Sequence, residues 1–210
     1  MKSKSLDRRG HPPFWIAIGS ILLAAACGAT RPSKYYQLTL PAGPPSAVAT
    51  AVYPITLLVG PIRASHLYRE DHIVYSTKGE SMGTYEFQRW AEPPTEMIQD
   101  ILTRELRRTG HYKNVDVLRS SSRGDYVLSG RLLDFKEVSE NSLVARIAME
   151  MDLRDKASGS LIWSHSYAHD EPVAKKEVSE VVAALDRSVQ QTVSEVQEDL
   201  DHFFATKQSQ

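Results

Sequence analysis

The chain has 210 residues, of which 25 are basic and 26 are acidic, so its formal net charge at neutral pH is −1. This balance argues against a nucleic-acid-binding protein, because such proteins neutralise phosphates with clustered Lys and Arg side chains. The single cysteine, Cys27, excludes an internal disulfide bond. The length is sufficient for one domain with its own hydrophobic core.

Residues 1–26 have the composition of a secretory signal segment. Four basic residues precede the apolar run Phe14–Ala26, which ends in small residues immediately before Cys27. A positive start, a short apolar middle and a small-residue end are typical of a signal peptide. The run has 13 residues, whereas a helix that spans a bilayer needs roughly 20. An ordinary signal peptide and a membrane-anchoring helix are the alternative interpretations.

The position of Cys27 resembles the lipobox of bacterial lipoproteins, in which the cysteine thiol receives a diacylglycerol and the chain is cut just before that residue. The two residues before Cys27 are alanines, although Ala24 stands where a lipobox usually has a large aliphatic residue. The resemblance implies a lipoprotein signal peptide over residues 1–26. It also implies diacylglycerol and an N-acyl chain, typically palmitate, on Cys27, and a lipidated tether over residues 27–34.

The first half of the domain predicts four strands and one helix. The run Ile55–Gly60 is apolar throughout, which is typical of a strand buried on both faces. The segment Pro41–Tyr53 is rich in proline and small residues and predicts a loop. The other predicted strands are Tyr35–Leu40, Asp71–Thr77 and Thr84–Trp90.

A helix is predicted between Pro93–Pro94 and Gly110. Proline suits the first turn of a helix, and glycine is common just beyond the last turn. Apolar residues recur at steps of three and four along one stripe, which is formed by Met97, Ile98, Ile101, Leu102 and Leu106.

The second half predicts a run of strands followed by a long helix over Lys175–Phe204. The segment Leu143–Leu153 alternates apolar and polar residues, which predicts a strand with one buried face. The remaining predicted strands are Val115–Leu118, Tyr126–Val138 and Ser160–His169. Because strands and helices are segregated, the fold class expected for residues 35–206 is α+β. We expect a mostly antiparallel sheet with two helices packed on one face, in a single domain after the signal segment.

Catalytic motifs do not emerge from the sequence. It contains no G-x-S-x-G nucleophile elbow and no glycine-rich phosphate loop. His165 and His169 fall on a predicted strand, so their spacing favours surface histidines on an edge hairpin over a metal pair. The acidic residues Asp134 and Glu137 are expected to be solvated. The sequence therefore predicts a protein that is not an enzyme and that has no metal site or dissociable cofactor.

A cluster of aromatic residues lies between Tyr68 and Trp90. Packing in the core or on the sheet is one interpretation of this cluster. The other is a surface that contacts a partner, since Tyr, Trp and Arg are common anchors of interfaces. Arg89 and Trp90 lie at a strand-to-helix corner, where side chains are often exposed. Tyr68, Arg89 and Trp90 are therefore the candidate residues of a partner interface.

Three segments together resemble the ABC-type transport auxiliary lipoproteins, a family that includes the PqiC-type lipoproteins. They are the motif Tyr35-Tyr36-Gln37-Leu38, the run from Leu57 to Ser76 and the run from Phe87 to Pro94. Their order and approximate spacing cover most of the chain after Cys27. The family offers no catalytic residues to transfer to this chain.

The resemblance implies a lipid-anchored protein that faces the periplasm and assists an envelope transport system for lipids or other apolar compounds. The implied partners are an MCE-domain protein and the permease and ATPase of an ABC transporter. Gly28 after the cysteine implies the outer membrane as the final location. The valine-rich and aromatic surfaces allow a homo-oligomer. The alternative function is an envelope-assembly or structural lipoprotein that binds another outer-membrane or cell-wall protein.

Overall fold

The computed structural model describes residues 31–39, 52–77 and 81–208. Residues Ser33–Gln210 form a compact unit. The predicted signal peptide, Cys27 and most of the predicted loop Pro41–Tyr53 lie outside the described residues.

The described chain contains eight strands and two α-helices. Helix α1 is Pro94–Thr109 and helix α2 is Val178–Gln208. A short 3-10 helix, His66–Tyr68, connects the second strand to the third. The strands are β1 Lys34–Tyr36, β2 Tyr53–Ala64, β3 His72–Ser76, β4 Met82–Trp90, β5 Tyr112–Val117, β6 Tyr126–Ser139, β7 Leu143–Asp155 and β8 Leu161–Pro172.

All eight described strands belong to one sheet, so the α+β class is confirmed, but the sheet expected to be mostly antiparallel is mixed. Strand β2 runs parallel to β5 and to β6, β3 runs parallel to β6, and β1 runs parallel to β4. The pairs β3–β4, β6–β7 and β7–β8 are antiparallel. The chain passes through β3, β4 and α1 between β2 and β5. A long crossover connection of this kind allows two strands to pair in parallel.

Strand β6 is the point at which the sheet branches. One side of β6 pairs with β7 along its whole length. The other side pairs with β2 near Tyr126–Leu132 and with β3 near Lys136–Val138. A register shift in β6 separates the two branches between Leu132 and Asp134.

Both helices pack on one face of this sheet. The predicted stripe of α1 is buried, and the valines and leucines of α2 between Val178 and Leu200 are buried as well. On β7, the predicted inward residues between Ala145 and Leu153 are buried beneath the helices. Phe204, near the end of α2, packs between Tyr53 and Tyr126 with ring centroids 5.5 and 5.3 Å away. Phe204 therefore completes the core of its own chain and does not extend toward a neighbour.

The segment after β1 crosses to the last helix of the chain. Leu38 is buried in the core. The backbone N–H of Thr39 donates to the Asp186 carboxylate on α2 at 2.7 Å. Strand β1 is shorter than the predicted Tyr35–Leu40, because the chain leaves the sheet after Tyr36 to make these contacts.

Candidate functional site

Tyr68 lies in the branch of the sheet. Its side chain is 2% exposed, and its hydroxyl donates to Asp134 Oδ1 at 3.2 Å. Burial, followed by the nearby Asp134 carboxylate, raises the pKa of Tyr68 well above its usual value, so the phenol stays protonated and donates. Tyr68 is therefore a structural residue that joins the 3-10 helix to β6, and it offers no surface to a partner.

Trp90 is also a core residue, so the expectation that this corner exposes it is wrong. Its side chain is 1% exposed, and its ring centroid lies 5.4 Å from that of Phe135. Its backbone N–H donates to the Asp71 carbonyl at 2.7 Å, which holds the end of β4 against the start of β3. Trp90 is thus part of the core cluster at the end of β4, and the Pro93–Pro94 segment that follows leads the chain into α1.

Arg89 is the member of the predicted interface that reaches the surface. Its guanidinium Nη1 donates to Asp71 Oδ1 at 2.9 Å. The imidazole of His72 lies 3.2 Å from a Glu70 carboxylate oxygen, and Glu70 is also 3.2 Å from His66. These residues form a partly exposed charged patch, within which the interface role of Arg89 stays a prediction.

Asp134 and Glu137 both bond to tyrosines at the branch of the sheet. Asp134 is partly exposed, whereas Glu137 is buried, so the expectation that Glu137 is solvated is wrong. Asp134 accepts from Tyr68 and lies 2.6 Å from the Lys136 ammonium. Glu137 is 3% exposed and accepts from the Tyr85 hydroxyl at 2.6 Å. A buried carboxylate needs such partners, because leaving it without hydrogen bonds costs free energy.

A second polar region lies between β8 and α2, and we call it the β8–α2 groove. It has a volume of about 360 Å³ and is lined by His165–His169 on the strand and by Glu195, Glu198 and Asp199 on the helix. His169 Nε2 lies 2.9 Å from Glu195 Oε2, and the Tyr167 hydroxyl donates to Asp199 Oδ2 at 2.7 Å. Burial and this bond to Asp199 raise the pKa of Tyr167, so its phenol remains a donor.

The placement of the two histidines on β8 follows the sequence prediction. His165 lies between Trp163 and Tyr167 on one side of the strand, with ring centroids 6.2 and 4.8 Å away. Within the residues that the structure describes, no group of three or more His, Cys, Asp or Glu side chains is arranged to hold a metal ion. The groove thus has the chemistry of an acidic surface with hydrogen-bonding partners.

Sequence reasoning missed the acidic wall of this groove. Glu198 and Asp199 follow Glu195 by three and four positions, which places both of them one turn further along the same side of the helix. That spacing was readable from the sequence. Their proximity to β8 depends on how α2 lies on the sheet, which a local pattern does not encode.

The model of the family described as ABC-type transport auxiliary lipoprotein component matches residues 36–197. The chain belongs to this family. The match confirms the resemblance carried by the three sequence motifs. It identifies the chain with bacterial envelope lipoproteins that are auxiliary to ABC-type transport, a role that implies partners in a transport system.

Solved structures support the same fold. Protein XCC0632 from Xanthomonas campestris is 21% identical, with a TM-score of 0.68 over 78% of this chain and 92% of that chain. The structure of a second, uncharacterized protein is 17% identical, with a TM-score of 0.64 over 81% of this chain and 99% of that chain. No curated protein matches the chain significantly. Among the helices of the described residues, none has the length and apolarity to cross a membrane.

Proposed function

We propose that the protein is a lipid-anchored periplasmic accessory of an ABC- and MCE-type transport system that moves lipids or other apolar compounds across the envelope. It acts by docking to partner proteins and catalyses no reaction. The family match over residues 36–197 is the observation that carries this proposal.

The packing of the core favours docking over carrying the substrate. The apolar cavity between the helices and the sheet, lined by residues such as Leu102, Met149 and Val193, has a volume of about 10 Å³. Pockets that enclose a drug-sized ligand have volumes of about 300–1,000 Å³. An acyl chain has no room in this cavity, which favours a role for the surface of the described domain over a role for its interior.

The anchor in this proposal is lipid on Cys27, which holds the protein in the outer membrane. Two or more acyl chains bind a protein firmly to a bilayer, whereas one gives marginal binding. Cys27→Ala removes the thiol that accepts the diacylglycerol, so we expect the variant to move from the membrane fraction to the soluble fraction. Fractionation followed by immunoblotting measures this, and Ala24→Leu, which supplies the usual aliphatic residue, is the control that stays in the membrane. Retention of Cys27→Ala in the membrane would contradict the lipid anchor.

The docking function is tested by affinity purification of the tagged full chain from detergent-solubilised native membranes, followed by mass spectrometry. We expect to recover an MCE-domain protein with the permease or ATPase of an ABC transporter. A tagged lipoprotein of unrelated fold from the same membrane is the matched control. Recovery of an outer-membrane assembly protein or a cell-wall enzyme in place of transporter subunits would support the alternative function of an assembly lipoprotein.

A further inference from the structure

Among the described strands, three lie at edges of the sheet, and they differ in how well they are covered. Strand β1 has three residues. Strand β5 has six, and the Arg107 guanidinium of α1 donates to its Val115 carbonyl at 2.6 Å. Strand β8 has 12 residues, pairs with β7 alone, and makes no hydrogen bond along its outer edge within the described chain.

The composition of β8 leaves this edge open to pairing. Natural edge strands are usually blocked by lysine, proline, bulges or short length, because unpaired N–H and C=O groups attract other strands. From Leu161 to His169, β8 contains no Lys, Arg, Asp, Glu or Pro. Its one register shift against β7 lies at the Leu161 end. The strand ends in Asp170, Glu171 and Pro172, so the part of the edge that is open to pairing is Leu161–His169. An uncharged edge of this length is a liability for a protein unless another strand pairs with it.

The β8–α2 groove runs along this same edge. Five consecutive residues of β8, His165–His169, line it. Successive side chains of a strand point to opposite faces of the sheet. A cavity that touches five in a row therefore follows the edge of the backbone and not one face. Its other wall is α2, so the groove offers the room that an added strand would occupy.

The wall formed by α2 is acidic. It carries the carboxylates of Glu195, Glu198 and Asp199. Glu195 faces His169, and Asp199 faces Tyr167 and, at 3.8 Å, His165. Glu198 is exposed and has no hydrogen-bond or ion-pair partner in the described part of the chain. The three carboxylates make this side of the groove attractive to positively charged side chains.

We propose that β8 is a docking edge that accepts an extended strand of a partner protein, whose basic side chains face the carboxylates of α2. Main-chain hydrogen bonds to β8 would give affinity, and alternate side chains of the added strand would give specificity. The inference rests on the proposed function, because it names the surface by which the accessory protein holds a protein partner of the transport system.

Synthetic peptides test the edge on the detergent-solubilised full chain. The probe is a capped nonapeptide of alternating valine and lysine, which presents one basic and one apolar side as a strand. One control peptide has glutamate in place of lysine, and another has the same composition with lysines and valines in separate blocks. We expect fluorescence anisotropy to show binding of the probe that is at least tenfold tighter than that of either control. Hydrogen exchange should show that amides of Leu161–Pro172 become protected.

Matched charge reversals locate the partner's basic side chains. Glu198→Lys places a positive charge on the acidic wall without removing a hydrogen bond, and we expect at least a tenfold loss of affinity for the probe. Glu86→Lys makes the same charge change at an exposed position of β4 and should leave the affinity unchanged. Circular dichroism of both variants verifies that they fold.

Several results would overturn the docking edge. These are equal binding of the alternating and block peptides, protection of amides outside β8, or equal affinities of Glu198→Lys and Glu86→Lys. A dimer in which β8 amides are protected without peptide would show instead that a second copy of the chain covers the edge. If the Glu198→Lys protein recovers transporter subunits at the wild-type level, β8 is not the edge on which they dock. The proposed function would still stand, because the subunits would bind elsewhere on the protein.

Discussion

Trp90 anchors the corner between the sheet and α1. Its indole packs on Phe135 of β6, and its backbone is bonded to the Asp71 carbonyl. The neighbouring Arg89 forms a partly exposed ion pair with Asp71. Two adjacent residues thus have opposite roles, one in the core and one at the surface.

Trp90→Ala should destabilise the protein by about 3–5 kcal/mol, because it removes a large buried side chain and leaves a cavity. The control Arg89→Ala breaks a partly exposed ion pair and should cost less than about 1 kcal/mol. Urea unfolding followed by circular dichroism measures both. If Trp90→Ala unfolds like the wild type and instead loses a partner, Trp90 belongs to an interface after all.

Arg146 and Asp170 form a two-bond ion pair across β7 and β8. Arg146 Nε and Nη2 donate to the two carboxylate oxygens at 2.7 and 2.6 Å. These hydrogen bonds hold the pKa of Asp170 below its usual value, and partial burial opposes them. A carboxyl whose pKa is lower in the folded state stabilises the fold above the unfolded-state pKa of about 3.9. That stabilisation is lost as the pH falls through the folded-state pKa.

Asp170→Asn should therefore lower the free energy of unfolding at pH 7, and the difference from wild type should shrink toward zero as the pH falls below about 3.9. Because both side chains are partly exposed, we expect a difference of about 0.5–1 kcal/mol at pH 7. Urea unfolding at pH 7 and at pH 3 measures it. Glu86→Gln, which removes a carboxylate at an exposed position of β4, serves as the matched control. A difference for Asp170→Asn that is the same at both pH values would contradict the ion-pair origin.

Among the elements, α1 follows local sequence rules at both ends. Pro94 occupies its first turn, and Gly110 ends it in the left-handed conformation with φ of 67°. The Gly110 N–H donates to the Arg107 carbonyl at 3.2 Å. Arg107 in turn bonds β5, so the end of the helix and the edge of the sheet are stabilised together.

Gly110→Ala should cost about 1 kcal/mol of stability, since a β-carbon disfavours positive φ. Gly110→Asn should cost less, because asparagine tolerates this conformation better than alanine does. Thermal unfolding of the two variants beside the wild type gives the ranking. Equal stability of Gly110→Ala and wild type would show that the end of α1 relaxes to another conformation.

At the scale of the whole molecule, the sequence predicted the buried face of a helix or strand where apolar residues recur at helical or alternating spacing. The spacing of Met97 and Leu106 placed α1 against the core, and the alternation around Ile147 gave the buried face of β7. The parallel pairing of β2 with β6 was missed, because a strand's partner depends on residues about 70 positions away in this chain. The burial of Trp90 was missed for a related reason: the corner position fixes where the chain turns, not which way the indole points.

The contacts between the beginning and the end of the domain affect how the chain folds as it is synthesised. Thr39 is bonded to Asp186, Tyr53 to Asp201 and Val52 to Gln208, each across about 150 residues. Contacts of such high sequence separation slow folding, because their loops must close before they give stability. A growing chain emerges from its amino terminus, so Thr39 and Tyr53 lack these hydrogen-bond partners until α2 has been synthesised. The core is thus completed only when α2 packs, and truncation before Val178 leaves the core open on the side that α2 covers.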